Sequence, residues 1–230
     1  TANYQTLEDI ERGHGLAEFI DAVLKIHSYG FEICTHVILN LPGDDRRDVI
    51  ETAKILSALN ITAVKLHSLY ISKNTLLCER YENGTIAMCS KEEYLQRVQL
   101  FLEYLSPDIV VERLFSRIPK KDAVFSNWNT SWWKLQDELL EQMEFTNSFQ
   151  GKHFDYLNFR GSHFKKVDFS YAIVSGCDFW GASFNKCNFR NAHITDCVFM
   201  GCRFTNCAFD GANIEYTTIV NANVAGCRNI

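Results

Sequence analysis

Three ionisable side chains stand where buried strands would carry apolar ones. His36 interrupts the run Phe31-Glu-Ile-Cys-Thr-His-Val-Ile-Leu39, and Lys65 and His67 interrupt Ile61-Thr-Ala-Val-Lys-Leu-His-Ser-Leu-Tyr70. Polar groups in such runs are costly unless they are paired or face a site. Ligands in parallel α/β folds sit at the carboxyl ends of strands, so these three are binding candidates. The nine cysteines give no such lead: the count is odd and no CxxC pair occurs. That excludes a secreted disulfide framework and leaves a reduced, cytoplasmic setting as the expectation. His153, His163 and His193 have no ligand spacing and read as surface residues. No catalytic residue and no metal set is predicted.

The elements that would position these groups alternate. Leu16, Phe19, Ile20, Val23 and Leu24 share one helical face, and Gly30 supplies the stop. The first strand run ends at the turn Asn40-Leu-Pro-Gly-Asp-Asp45. A helix follows with Val49, Ile50, Ala53 and Leu56 on one side, then the second strand run. Ser90 with Glu93 forms a capping box that opens a helix through Leu105. Ile109-Val-Val-Glu-Arg-Leu114 is a third strand, and Trp132, Leu135, Leu139 and Met143 mark a last helix. Such alternation predicts parallel βα units. Three strands are too few to close a barrel, so residues 1–151 read as a partial (β/α) barrel.

The succession of motifs carries a resemblance. Arg12-Gly-His14, Cys34-Thr-His-Val-Ile-Leu-Asn-Leu-Pro-Gly43, Lys65-Leu-His-Ser-Leu-Tyr70, Asn74-Thr75-Leu76 and Tyr81-Glu-Asn-Gly84 resemble the C-terminal half of a radical S-adenosylmethionine (SAM) barrel. The bacterial YhcC-like family, similar to the elongator catalytic subunit, is the nearest in pattern, over residues 1–157. The resemblance implies SAM as a cofactor. It places Arg12 near the methionine carboxylate and His36, Ile38 and Leu39 along the nucleoside. The Leu41-Pro42-Gly43 turn would close over it, with Lys65 and His67 facing the barrel interior or the site mouth. The family also needs a [4Fe–4S] cluster on a CxxxCxxC loop. No such motif occurs here, and Cys34, Cys78 and Cys89 are too far apart to imitate it. The lone chain is therefore expected not to perform radical chemistry. A barrel remnant with core histidines is the plainer reading of the same residues.

From Phe154 to Val224 every fifth residue is large and apolar, and a small residue precedes most of them by two: Ala172, Cys177, Ala182, Cys187, Ala192. A period of five is neither helix nor strand. It fits a chain that turns a corner every five residues, a solenoid. The small residue, Asp/Asn, Phe pattern, as in Cys177-Asp178-Phe179 and Cys187-Asn188-Phe189, resembles pentapeptide-repeat proteins over residues 152–226. The implied fold for 152–230 is an all-β, right-handed quadrilateral β-helix with four pentads per coil. Residues twenty apart would then stack. That predicts Phe ladders 159/179/199, 164/184/204 and 169/189/209, with a mainly aliphatic fourth side of Phe154, Val174, Ile194 and Ile214. Cys177 would lie over Cys197, and Cys187 over Cys207 over Cys227. These columns read as small buried filler, with a metal or redox role as the alternative. One outward column is apolar: Trp180, Met200 and Val220, with Val198 beside it. It reads as a docking face or as scattered surface hydrophobes.

No linker rich in Gly, Ser or Pro separates the two parts, so they are expected to be welded at His153–Asn158. The open end of the solenoid is expected to be paired in a homodimer or frayed. Thr1 is not an initiator Met, and the chain reads as beginning inside a larger product. There is no signal peptide and no apolar run long enough to span a membrane.

Two functions follow. The first is the C-terminal part of a radical SAM protein with an appended interaction module. Its partner would be another protein or the missing barrel half, and its substrate, by analogy, RNA. The second is a non-enzymatic pentapeptide-repeat scaffold. Some pentapeptide-repeat proteins mimic DNA and bind topoisomerases. Residues 151–230 carry 8 Lys/Arg and 6 Asp/Glu, a balance of +2, which counts against that role. Residues 1–150 carry 23 − 8 = 15 against 28 − 6 = 22, or −7, so nucleic acid is an unlikely ligand of either part.

Overall fold

The structure is a computed structural model that describes residues 1–116, 121–143 and 149–229. It divides into two compact units: residues 1–105 with 114–135, and residues 106–113 with 136–230. Among the described residues no helix is long and apolar enough to cross a membrane.

The first unit begins with α1 (Tyr4–Asp9) and α2 (Leu16–His27), then β1 (Cys34–Ile38), α3 (Arg46–Ala58) and β2 (Ala63–His67). It continues through β3 (Ile71–Ser72), α4 (Leu76–Glu82) and α5 (Lys91–Tyr104). Asp45 caps α3 by accepting from Arg47 and Asp48 N–H, and Ser90 caps α5 by accepting from Glu93 N–H. β1 and β2 run parallel in register, Cys34 opposite Ala63 through Ile38 opposite His67. Val37 and Leu66, a facing pair, are buried, as are Val49, Ala53 and Leu56 of α3 and Leu95, Val98 and Phe101 of α5. α3 and α5 pack on each other, joined by Arg46 on Glu93 at 2.6 Å.

The sequence run Ile109–Leu114 forms β4 (Val110–Arg113), which lies in the second unit. β5 (Ala123–Phe125) pairs antiparallel with β3 in the first unit, Ile71 against Phe125. Periodicity did not reveal this pair, because two- and three-residue strands show no alternation. Ile71, Cys78 and Phe125 form a small core with Tyr81, Met88 and Trp128 against it. α6 (Trp132–Gln142) is the predicted last helix.

The second unit is a solenoid with the predicted twenty-residue stacking. β6 (His153–Asp155), β8 (Ile173–Ser175), β10 (His193–Thr195) and β12 (Asn213–Glu215) pair in parallel on one side. β7 (His163–Lys165), β9 (Ser183–Asn185), β11 (Arg203–Thr205) and β13 (Asn223–Ala225) do so on another. The two remaining sides are joined by isolated parallel bridges, Asn158–Asp178–Val198–Thr218 and Asp168–Asn188–Ala208–Arg228. β4 pairs in parallel with β6, Val110 opposite His153, so the first side gains a strand before the solenoid proper begins. This removes one bare edge.

All three Phe ladders form. Rings stack at 5.1 and 4.7 Å along Phe159/Phe179/Phe199, at 4.7 and 4.8 Å along Phe164/Phe184/Phe204, and at 4.9 and 4.8 Å along Phe169/Phe189/Phe209. Each stacked pair adds about 0.5–1.5 kcal/mol beyond its buried area. Phe149 closes the start of the column, fully buried and 4.7 Å from Phe154 and 5.2 Å from Phe169. Gln136 of α6 donates to Asn158 O and Ser162 Oγ of the first coil. Burial fades at the other end, where Ile219 and Val224 are exposed.

The corners explain the period. The residue two after each centre is left-handed: Gly161, Lys166, Tyr171, Gly176, Gly181, Lys186, Asn191, Asp196. An Asp or Asn before the centre accepts the N–H at the corner, as Asp178 does from Trp180 at 3.0 Å and Asn188 from Arg190 at 3.2 Å. This Asx turn gives the repeat its acidic or amide position.

The filler reading of the cysteines has a structural basis. Cys187, Cys197, Cys202 and Cys207 each donate a thiol to the carbonyl of the centre twenty-three residues earlier, Cys202 to Phe179 O at 2.9 Å. Side-chain hydrogen bonding along the column and burial push the Cys177 and Cys187 thiols up, while the same hydrogen bonds pull their partners Cys197 and Cys207 down, Cys207 to about 7. His153 corrects the surface reading: it is half-buried, and burial pulls its imidazole down.

Phe184→Ala, in the middle of a ladder and touched by Phe164 and Phe204, is expected to cost about 3–5 kcal/mol in urea unfolding. A loss below about 1 kcal/mol would show that the ladders are not what holds the solenoid.

Candidate functional site

The β1–β2 pair presents its polar side chains on one face. Register sets His36 opposite Lys65 and Ile38 opposite His67, while Val37 and Leu66 turn the other way into the core. His36 is exposed, and Ile38, Lys65 and His67 are half-exposed. Four of the predicted residues therefore share a surface.

The others fall differently. Leu39 is 2% exposed, its side chain in the core, so it cannot lie along a ligand on the face of Ile38. Its carbonyl accepts from Arg97 Nη1 at 3.2 Å. Leu41 is also buried, at 6%. Strand alternation explains Leu39: it follows Ile38 and points the opposite way. Pro42 and Gly43 form a turn closed by Asp44 N–H donating to Leu41 O, with Gly43 at φ +94°. Proline first and a positive-φ glycine second define a type II turn. Arg12 is exposed in the turn after α1, its N–H donating to Leu7 O.

Sequence reasoning missed the groups that hold this face. Asn40 is 1% exposed, and its Oδ1 accepts from Leu69 N–H at 2.6 Å, which clasps the ends of β1 and β2. Arg97 is buried, held by Glu93 at 3.0 Å. Arg46 and Arg97 beside Glu93 hold its carboxyl below the usual range. An arginine among Tyr94, Leu95, Val98 and Phe101 was the available signal.

Behind the histidines runs a line of hydrogen bonds. His67 Nε2 meets His36 Nδ1 at 3.0 Å, with the rings 15° apart. His67 Nδ1 meets Ser116 Oγ at 2.7 Å. Asn127 Nδ2 donates to Ser116 O at 3.3 Å, and Ser68 Oγ donates to Asn127 Oδ1. Asn127, Trp128 and Asn129 are all left-handed, at φ 45°, 49° and 57°. Such strain persists only where packing fixes it. Trp128 supplies that: its Nε1 donates to Cys89 O at 2.7 Å, and its ring lies 4.9 Å from Tyr94 and 5.3 Å from Phe125.

In the second unit Trp180, Met200 and Val220 are exposed on one outward column, with Val198 half-exposed. The Arg160 guanidinium lies 5.0 Å over the Trp180 ring and 3.4 Å from Asp178. Val198 stands where the repeat carries Asp or Asn, so the Asx turn is absent at Met200.

Comparison with known proteins matches both parts. Residues 61–144 match the Radical_SAM C-terminal domain. Residues 148–181 and 182–217 match pentapeptide repeats, in 8 copies. Protein MJ0486 of Methanocaldococcus jannaschii is 36% identical over 151 residues, 65% of this chain and 47% of that protein. YhcC of Escherichia coli K12 is 24% identical over 139 residues, 60% of this chain and 45% of that protein. The chain spans about half the length of the curated relatives it matches. Among solved structures, archaeal Methanocaldococcus infernus Elp3 aligns with a TM-score of 0.56 at 18% identity, over 63% of this chain and 34% of that one. That likeness concerns fold alone. The resemblance to the C-terminal half of YhcC-like radical SAM proteins holds, as does that to pentapeptide-repeat proteins.

The residues here do not fit an iron–sulfur cluster. Among the described residues no three His, Cys, Asp or Glu side chains converge to hold a metal. Cys34 is exposed, Cys78 is buried and Cys89 intermediate, without grouping.

Gly43→Ala tests the turn. A Cβ there meets Thr6 Oγ1 at 3.3 Å and the positive φ strains any L-residue. The expected cost is about 1–2 kcal/mol in thermal unfolding, and an unchanged Tm contradicts the turn assignment.

Proposed function

We propose that this chain is the C-terminal part of a radical SAM protein joined to a pentapeptide-repeat interaction module. The observation that carries the reading is the polar face of β1–β2, His36, Ile38, Lys65 and His67, of which Lys65 and His67 lie within the segment matching the Radical_SAM C-terminal domain. In this reading the first unit is part of a barrel, and that face is its interior. Lys65 and His36 would hold polar groups of SAM, Ile38 would pack on its apolar surface, and the Pro42–Gly43 turn would border it. Arg12 and the backbone at Leu39 and Leu41 remain outer candidates. When bound beside a reduced cluster, SAM supplies an organic radical. Among the described residues no ligand set for that cluster converges, so the chain's own part in this reading is to bind and orient. A segment carrying CxxxCxxC, the missing barrel half, is the partner this requires, in a cytoplasmic setting. The substrate stays with the whole protein.

The solenoid supports the interaction part. Trp180, Met200 and Val220 are stacked twenty residues apart as one exposed apolar column, and Val198 beside them, like Ala208, lacks the Asx turn. We infer a protein-docking face there. A purely scaffolding protein would use the same face, and it would leave the β1–β2 face unable to bind SAM.

Calorimetry with SAM on the full chain tests the reading. Binding is expected, weakened about 3- to 10-fold by Lys65→Ala, the worth of one lost hydrogen bond. No heat of binding favours the scaffold. Anaerobic reconstitution of the lone chain is expected to yield no iron–sulfur absorbance, and a cluster formed on this chain contradicts the assignment.

A further inference from the structure

The line Asn127–Ser116–His67–His36 ends at one atom. Of the four imidazole nitrogens, His67 Nδ1 meets Ser116 Oγ, and His67 Nε2 and His36 Nδ1 meet each other. His36 Nε2 is the fourth, on an exposed side chain of the polar face. The inference rests on the reading of that face as a ligand site.

Hydrogen placement along the line is all or none. A neutral imidazole carries one N–H, and the 3.0 Å contact between the two rings needs one hydrogen between them. If Ser116 donates to His67 Nδ1, then His67 Nε2 carries its hydrogen and donates to His36 Nδ1. His36 Nε2 then carries a hydrogen and is a donor. If Ser116 accepts from His67 Nδ1–H, the order reverses and His36 Nε2 is an acceptor. The direction of one hydroxyl is therefore coupled to what a histidine two links away offers to a ligand.

Ser116 is built to hold that choice. It is 7% exposed, and its carbonyl is fixed by Asn127 Nδ2. Asn127 is 5% exposed, gripped by the 3% exposed Ser68, and set in the left-handed Asn-Trp-Asn turn that Trp128 locks.

We propose that Ser116 is a positioning residue that acts through His67 to hold the orientation of His36 and to couple its tautomer to the serine hydroxyl, so that His36 Nε2 is the hydrogen-bonding atom presented to a polar ligand on the β1–β2 face. The ligand group it suits is a hydroxyl, amine or carboxylate such as SAM carries.

Nitrogen-15 histidine spectra of the full chain read the tautomers directly and need no ligand. The tautomer patterns of His36 and His67 are expected to be linked. Ser116→Ala should change both patterns together, and Ser116→Thr, which keeps the hydroxyl, should restore them. The Tm of each variant confirms that the chain remains folded. Unchanged His36 and His67 patterns in folded Ser116→Ala overturn the proposal. Calorimetry with SAM gives the second arm: Ser116→Ala is expected to weaken binding about 3- to 10-fold, with Thr restoring it. Equal affinity of Ser116→Ala and the parent chain also overturns it. If the parent chain binds no SAM, the reading of the ligand fails, and the tautomer spectra alone decide the role of Ser116.

Discussion

Parallel, in-register pairing puts like positions side by side, and both units are consequences of it. In an antiparallel pair, neighbours come from opposite ends of their strands, so a repeated pattern does not stack on itself. In a parallel pair it does. The first unit uses this to gather unlike residues: His36 beside Lys65 and Ile38 beside His67 form a polar face, with Val37 and Leu66 on the other. The second unit uses it to gather like ones, ring on ring at about 5 Å. The same rule makes one sheet face polar and the other structure a column.

The solenoid meets a constraint that the first unit avoids. A backbone turning every five residues must enter the left-handed region at each corner, where only glycine is unstrained. Glycine takes Gly161, Gly176, Gly181 and Gly201, but Lys166, Tyr171, Lys186 and Tyr216 take the same conformation. Corner N–H groups are satisfied by the neighbouring coil, as Tyr171 N–H is by Arg190 O at 3.0 Å. Stacking thus supports corners whose residues would not choose them. At Gly176 the neighbouring coil also forbids a side chain, since a Cβ would lie 2.6 Å from the Tyr156 ring.

Legibility in the sequence followed the range of the interaction. The solenoid was readable to the level of individual ladders, because its period repeats through fifteen centres and stacking is arithmetic. Phe149 was not, although it lies five residues before Phe154 and twenty before Phe169, because the expected series begins at Phe154. In the first unit His36, Lys65 and His67 stood out as polar breaks in apolar runs, and the structure places them on one face. Leu39 was misassigned because resemblance carried over a contiguous stretch, whereas a strand alternates its faces. Ser116 and Asn127 left no local signal. Their partners lie 49 and 59 residues away, and a serine and an asparagine in a loop look like ordinary turn residues.

Departure from local rule is therefore the better guide to function in this chain. The regular parts of the solenoid explain its stability and nothing more. Among its departures are Val198 and Ala208 in place of an Asx residue and the Trp180–Met200–Val220 column in place of a polar one. The first unit departs at Asn127–Trp128–Asn129, where three left-handed residues in succession serve no strand and no helix cap. Each departure has a physical cost: a lost turn, exposed apolar area, or strained backbone. Trp128 offsets the strain by burying its indole N–H on Cys89 O, and what the strained turn places is the carbonyl of Ser116. That serine is bonded in turn to His67 of the polar face, so the strained turn and the β1–β2 face are joined through Ser116.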